Sequence, residues 1–289
     1  MSLQALLVRN DTRGIARRCA GVLPSDNVEA VAKALHKLRG QTVAIATGFF
    51  VNNRLETDGP PGAIALGHCL SRLGCQVVMV SRKDALEIMQ PHCRFEAAYA
   101  EIRVRSQRAA KNDAAALLRK FNPASLVAVE VCGSNRHGRY CDMKGNDISA
   151  VTPPMDILFE LARGQNRFTI GIGDGGNEIG FGNISPSLIR EAGVEPCRTK
   201  TSALIVASIS NWGAYGLIYS LSRIAGEAFL PSLAGERRLI RGLLRQDAVD
   251  GFSGRPIARV DGRSLGRHEE LLQTLLRRLR RAVRVRRTD

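Results

Sequence analysis

"TIGIGDGGNEIGFGNI", residues 169–184, begins as an unbroken apolar run and then dissolves into glycine, with two carboxylates, Asp174 and Glu178, inside the break. Six of the twelve residues from Gly171 to Gly182 are glycine, more than a turn needs. An apolar run with no polar alternation is buried on both faces, as in a strand of a parallel sheet covered by helices. The strand here is taken as "RFTIGIG" (167–173), and four other runs share its character: "TVAIAT" (42–47), "QVVMVS" (76–81), "SLVAVEV" (125–131) and "ALIVASIS" (203–210). Helical stretches separate them. "PPGAIALGHCLSRLG" opens on Pro60 and Pro61 and stops at Gly74, as helix ends prefer. "NDAAALLRKF", "PMDILFELARG" and "SPSLIREAG" follow the same logic. Strand alternating with helix predicts an α/β fold in three layers, a mostly parallel sheet with helices on both faces. No repeat or linker divides the chain, so one domain over residues 1–289 is expected, with the Arg-rich stretch 232–289 as a peripheral C-terminal part.

The composition, 44% hydrophobic and 24% charged, is that of a globular protein with a substantial core. No apolar run approaches the length of a bilayer span, and "MSLQALLVRNDTRG" lacks the pattern of a secretory leader, so a cytoplasmic protein without a membrane partner is expected. The cysteines, at positions 19, 69, 75, 93, 132, 141 and 197, form no C-x-x-C pair and no zinc-like spacing; reduced thiols are expected.

The formal charge of +15 raises the question of nucleic acid. Seven arginines fall between Arg277 and Arg287, but Leu271, Leu272, Leu275, Leu276, Leu279 and Val283 run through the same segment at helical spacing. The segment is first an amphipathic terminal helix. Without aromatic interleaving or a reading motif, nucleic acid is not expected as a partner.

In an open parallel sheet, ligands collect beyond the carboxyl ends of the strands. Four loops due at that edge carry more polar groups than a connection requires: "GFFVNNRLETDGPPGA", "EVCGSNRHGRYCDMKGNDIS", the opening loop, and "SNWGAYG". In the opening loop, Gly175, Gly176 and Asn177 offer backbone amides to an anionic ligand. Asp174 and Glu178, four residues apart, suit Mg²⁺ or Mn²⁺ with oxygen ligands, and Asp58 is a third candidate ligand. Capping of a following turn is the competing role for Asp174, and a plain helix N-cap for Asp58. Thr47, Gly48 and Gly59 are placed to contribute a hydroxyl and bare amides, and Arg54 to clamp a carboxylate. Glu130 interrupts an apolar strand. A buried carboxylate must find a partner or take up a proton, so Glu130 reads as a catalytic base, a metal ligand or half of an ion pair. Arg136 and Arg139 suit carboxylate or phosphate groups, and Asn211 opens the last helix.

"TGF", "ETDGPPGA", "GIGDGGNEIGFGN" and "SNWGAYG", in this order, resemble the C-terminal domain of the D-glutamate cyclase family, and the likeness extends through "VDGRSLGRHEE". The resemblance implies a carbon–oxygen lyase that closes D-glutamate to 5-oxo-D-proline with loss of water, acting on a small acidic metabolite. Such chemistry asks for a base, for which Glu130 is the candidate, with Asp58 and Glu178 as further catalytic carboxylates. It also asks for a divalent metal on Asp58, Asp174 and Glu178, and a cation for the α-carboxylate from Arg54, Arg136 or Arg139. A homo-oligomer is a further expectation. Two alternatives stay open. "GDGGNE" is similar to the "GDGxND" metal loop of haloacid-dehalogenase phosphatases, whose early D-x-D nucleophile motif this chain lacks. A Mg²⁺- or Mn²⁺-dependent phosphohydrolase of another kind is one alternative, and a non-enzymatic basic binding module is the other.

Overall fold

The computed structural model describes residues 1–285, with side chains through Ala282; Val283, Arg284, Arg286 and Arg287 of the arginine-rich terminus fall outside the described side chains. Six strands form the central sheet: β1 Thr42–Thr47, β2 Gln76–Ser81, β3 Ala97–Glu101, β4 Ser125–Val129, β5 Phe168–Gly173 and β6 Ala203–Val206. Their order is β3-β2-β1-β4-β5-β6, and every pairing is parallel. Register is set at the centre, where Ile45 of β1 stands between Met79 and Val127.

Alternate residues of each strand feed opposite faces, because side chains in a strand alternate with period two. Val43, Ile45, Val77, Met79, Val127, Val129, Ile170, Ile172 and Ile205 enter the larger core. There they meet α1 Asn27–His36, α2 Pro60–Arg72 and α5 Ser210–Ala225, which pack on one another. Ala44, Ala46, Val78, Val80, Leu126 and Ala128 face the other way, against α3 Gln107–Phe121 and α4 Asp156–Gly164. The three-layer α/β arrangement with helices on both faces is therefore present, and the sheet is wholly parallel.

Two further helices, α6 Leu233–Arg245 and α7 Leu265–Val285, follow in the C-terminal stretch. Leu271, Leu272, Leu275 and Leu279 of α7 are buried in the larger core, so the apolar stripe of this stretch is built into the main body of the molecule. Each such side chain contributes on the order of 1.5–3 kcal/mol by leaving water. Among the described residues no helix is long and apolar enough to cross a membrane, and all seven cysteines are free thiols.

The strand order reverses between β1 and β4: from β1 the chain builds outward to β2 and β3, then returns to β4 and builds to β6. At such a switch point the two connecting loops leave for opposite faces, and a crevice opens at the strands' carboxyl ends. Thr47 and Glu130 stand on either side of it.

Candidate active site

Glu130 follows β4 with a φ of 51°, the left-handed region that a non-glycine residue rarely adopts. Holding it there costs of order 1 kcal/mol or more, and such strain collects at functional sites. The turn ends the strand two residues before the apolar run does and brings the carboxylate back over the sheet edge. Its backbone N–H donates to the carbonyl of Ile172 at 3.1 Å, and the hydroxyl of Ser210 donates to its Oε2. Gly59 makes the close approach possible. With φ at 95°, it packs so near that an added Cβ would lie 2.7 Å from the Cβ of Glu130 and 2.8 Å from Oγ1 of Thr47. Thr47 is itself consumed in structure, donating its hydroxyl to the carbonyl of Val129 at 2.7 Å, while its own carbonyl accepts from Ser81 Oγ at 2.6 Å. Gly48, also at positive φ, packs against Ser81.

The glycine-rich loop after β5 closes on its own acid. The amides of Asp174 and Gly175 donate to Oε1 of Glu178 at 3.0 and 2.7 Å, and that of Gly176 donates to Oε2 at 2.7 Å. The nest expected to receive a ligand thus cradles a side chain of the same loop. Asn177 is buried and bonds to the carbonyl of Cys141 through Nδ2 at 2.9 Å, which ties this loop to the one after β4.

Oxygens of Glu130, Asp174 and Glu178, all three buried, lie within 4.8 Å of one another. Sequence reasoning placed Asp58 third beside Asp174 and Glu178; the structure places Glu130 there. Asp58 is occupied otherwise. Its Oδ1 accepts from the amides of Gly59 at 3.0 Å and Asn211 at 2.8 Å, and its Oδ2 from that of Ser210 at 2.8 Å. It is indeed a helix cap, but for α5, 152 residues away, and not for the helix that follows it. Asn211 returns the favour: its Oδ1 accepts from the amides of Gly59 at 3.1 Å and Gly62 at 2.8 Å, capping α2.

Three residues absent from the sequence-based site complete it. Arg13 reaches in from the N-terminal segment, half-buried, and donates to Asp174 Oδ2 at 2.6 Å and Asp261 Oδ2 at 3.2 Å. Asp261 arrives from the turn before α7. Glu56 is buried, and of the surrounding charges it feels that of Asp58 most strongly. No local pattern announces Arg13, whose partners lie 161 and 248 residues further along the chain. Glu56 was visible as an acid in "LETDG", and Asp261 in "VDG", without a periodicity to separate them from turn residues.

The arginines proposed as anion clamps lie elsewhere. Arg54 bonds to Asp247, donating from Nε to its carbonyl at 3.0 Å and pairing with its carboxylate. Arg136 pairs with Glu195 at 3.7 Å and Arg139 with Asp147 at 4.0 Å, both with more than half of their side chains exposed. None of the three is paired with an acid of the cluster. Guanidinium chemistry suits a carboxylate, but the direction of a loop side chain is not written in residue type.

Six carboxylates, Glu56, Asp58, Glu130, Asp174, Glu178 and Asp261, therefore gather around two guanidiniums, that of Arg13 and that of Arg263, which stands 3.2 Å from Asp261 Oδ2. Burial, then the charges of Glu178 and Asp174, push Glu130 well above the usual carboxylate range. Burial lifts Asp174 as well, against the pull of Arg13. Glu56 is raised by burial and by Asp58. Asp58 is pushed up to about 6 by burial and Asp261, with the amides of Asn211 and Ser210 opposing. Burial works against the charge of Arg13, but Asp174 and Asp261 outweigh it and its pKa is raised. Negative charge in such excess takes up either protons or a cation. Hard oxygen donors from three carboxylates at this separation fit a divalent cation such as Mg²⁺ or Mn²⁺.

A family model described as "D-glutamate cyclase-like, C-terminal" matches residues 4–276. The chain belongs to this family. Every element of the D-glutamate cyclase-like site, from Arg13 to Asp261, falls within the matched span. The chain is 27% identical over 291 residues to the human protein named "D-glutamate cyclase, mitochondrial", an alignment covering 86% of this chain and 47% of that protein. It thus spans about half the length of the curated relative it matches. A solved structure of actinorhodin polyketide ketoreductase with NADPH aligns over 65% of each chain at 16% identity and a TM-score of 0.31, too distant to bear on the D-glutamate cyclase-like site.

Proposed function

We propose that the chain is a D-glutamate cyclase-like lyase, closing D-glutamate to 5-oxo-D-proline with loss of water, with a divalent metal at the carboxylate cluster. The observation that carries the reading is the meeting of Glu130, Asp174 and Glu178 beside Arg13 at the switch point of the sheet. Membership of the D-glutamate cyclase-like family supplies the reaction class.

The reaction itself sets the demands. The amino nitrogen attacks the distal carboxyl carbon, a C–N bond forms, and a C–O bond breaks. An ammonium and two carboxylates become a lactam, one carboxylate and water, so two protons pass from nitrogen to the departing oxygen and none is lost overall. The site needs a proton carrier rather than a proton sink. Glu56 fits that role: its carboxyl is buried, and burial with the charge of Asp58 raises it well above the usual carboxylate range, so that it holds a proton more readily than an exposed acid. Glu130, first read as the base, joins Asp174 and Glu178 as the set that would hold the metal. When bound, the metal neutralises the distal carboxylate and polarises it as an electrophile. Arg13, the cation paired with Asp174, is the natural holder of the α-carboxylate, exchanging Asp261 for the incoming anion while Arg263 keeps Asp261.

The test is direct. The protein is incubated with D-glutamate and Mn²⁺, with L-glutamate in parallel, and 5-oxoproline is followed. Formation of 5-oxo-D-proline dependent on Mn²⁺ and on Glu56 upholds the reading. A rate equal to that of the protein-free blank, whatever the metal, removes it.

A further inference from the structure

At the opposite end of α2 from the acidic cluster lies a cavity of about 570 Å³ with the reverse electrostatic character. Gly59 opens α2, and Ile64, Ala65, His68 and Arg72 line this cavity, so at 1.5 Å of rise per residue the two sites are roughly 8 Å apart along that helix at their nearest. The cavity is walled by α2, α6 and the segments 91–95 and 228–232. Four guanidinium groups surround it, from Arg72, Arg94, Arg238 and Arg245. Arg72 is engaged with Glu227 at 3.4 Å, but Arg94, Arg238 and Arg245 form no ion pair among the described residues. The carboxylate in the wall, Glu236, is turned inward, where it accepts from the hydroxyl of Tyr215 and stands 3.2 Å from His268 Nε2.

Part of the lining is made of rings seated against helices. Gly67 of α2 is bare beneath Phe95, where an added Cβ would come within 2.5 Å of the ring. Gly242 of α6 is bare beneath His92, with a corresponding approach of 2.3 Å. Phe95 meets His68 edge to face at 6.4 Å, and the guanidinium of Arg72 lies 5.0 Å from the ring centre of Phe229. Burial and the neighbouring arginines hold both His68 and His92 below the ordinary histidine pKa, so the imidazoles are neutral ring surface at pH 7 and the arginines supply the charge. A cavity of this volume is of the size that takes a small organic ligand. Ring surface and unpaired guanidinium groups in the same lining match a molecule that has a planar body and two or more negative charges.

We infer that the cavity between α2 and α6 is a second binding site, for a nucleotide-sized organic phosphate carrying a planar ring. It is separate in residues and in sign of charge from the carboxylate site, and it stands whether or not that site performs the cyclisation.

The test is calorimetric titration of the full chain, in EDTA so that no metal–nucleotide complex reaches the acidic cluster, with ADP, inorganic pyrophosphate, adenosine and citrate. ADP is expected to bind at least tenfold more tightly than pyrophosphate or adenosine, because each of those keeps one half of the recognised chemistry. Citrate is expected to bind no more tightly than pyrophosphate. The double variant Arg94→Ala, Arg245→Ala is expected to weaken ADP binding tenfold or more, and both positions are exposed, so the fold is retained. The Asp174→Asn variant is expected to leave it unchanged. Absence of ADP binding at millimolar concentration overturns the inference. So does ADP affinity unaltered in the double-arginine variant, affinity lost in Asp174→Asn, or citrate bound as tightly as ADP.

Discussion

Asp58 and Asn211 cap each other's helices: the carboxylate of Asp58 takes the amides of Ser210 and Asn211 that open α5, and the side-chain carbonyl of Asn211 takes the amides of Gly59 and Gly62 that open α2. This exchange locks together the two helices that flank the crevice. It sets where Gly59 lies, and through Gly59 how closely Thr47 and Glu130 approach. Either side chain, once removed, leaves buried N–H groups without acceptors, at about 2 kcal/mol. Asp58→Ala and Asn211→Ala are each expected to lower unfolding free energy by that order, and the double variant by less than the sum, because the two share partners. Urea denaturation checks this. Additive losses would show that the caps act independently.

Acidity should favour the metal-free protein. Asp58 rises in the fold from 3.8 to about 6, so the folded state holds its proton more tightly than the unfolded chain. Its contribution is therefore fully present below about pH 4 and lost as pH rises through about 6. Glu56, Glu130 and Asp174 are raised in the same direction. The melting temperature in EDTA is expected to fall between pH 4.5 and 7, and to fall less steeply in Glu56→Gln. A melting temperature that climbs over this interval would contradict the charge excess.

Arg13 is the guanidinium that pairs with Asp174, while Asp261 is shared between Arg13 and Arg263. Arg13→Met leaves Asp174 without its cation and Asp261 with Arg263 alone, and in the metal-free protein at pH 7.5 it should lower stability by roughly 1–3 kcal/mol, less than a fully buried pair because Arg13 is partly exposed. Adding Mn²⁺ should restore more stability to this variant than it adds to the parent protein. Equal stabilisation of both would mean that Arg13 and the metal do not share the same carboxylates.

Glu56→Gln separates chemistry from binding. With a proton carrier removed, kcat is expected to fall about 10²- to 10⁴-fold while Mn²⁺ affinity changes by less than about threefold. Glu130→Gln is expected to weaken Mn²⁺ binding instead. Steady-state rates and Mn²⁺ titrations on both variants distinguish the roles. A loss of Mn²⁺ affinity confined to Glu56→Gln would reverse them.

Much of the sheet is legible in the chain because its strands are apolar on both faces. The exception is β3, "AAYAE", an edge strand in which only Ala100 is fully buried, so no continuous apolar run marks it. The runs 125–131 and 203–210 overshoot their strands because Val131 and Ile209 stay buried after the backbone has turned. In the site, Asp174, Glu178 and Glu130 were recognisable from acids set against apolar or glycine-rich surroundings. Asp58 was recognisable as a cap, but which helix it caps depends on a contact across 152 residues. Arg13 and Asp261 enter through the same kind of long-range contact, invisible to any local window. The glycines of the opening loop had a nearer purpose than a ligand: their amides hold Glu178, and Glu178 in turn faces Asp174 and Glu130.

The central claim is that three buried carboxylates from two loops make one divalent-cation site, and titration of Mn²⁺ into the full chain, beside Asp174→Asn and Glu130→Gln, tests it most directly. One Mn²⁺ per chain is expected, with binding weakened at least tenfold in each variant while melting remains cooperative. Binding with no measurable heat in the parent protein, or of equal strength in all three, would contradict it.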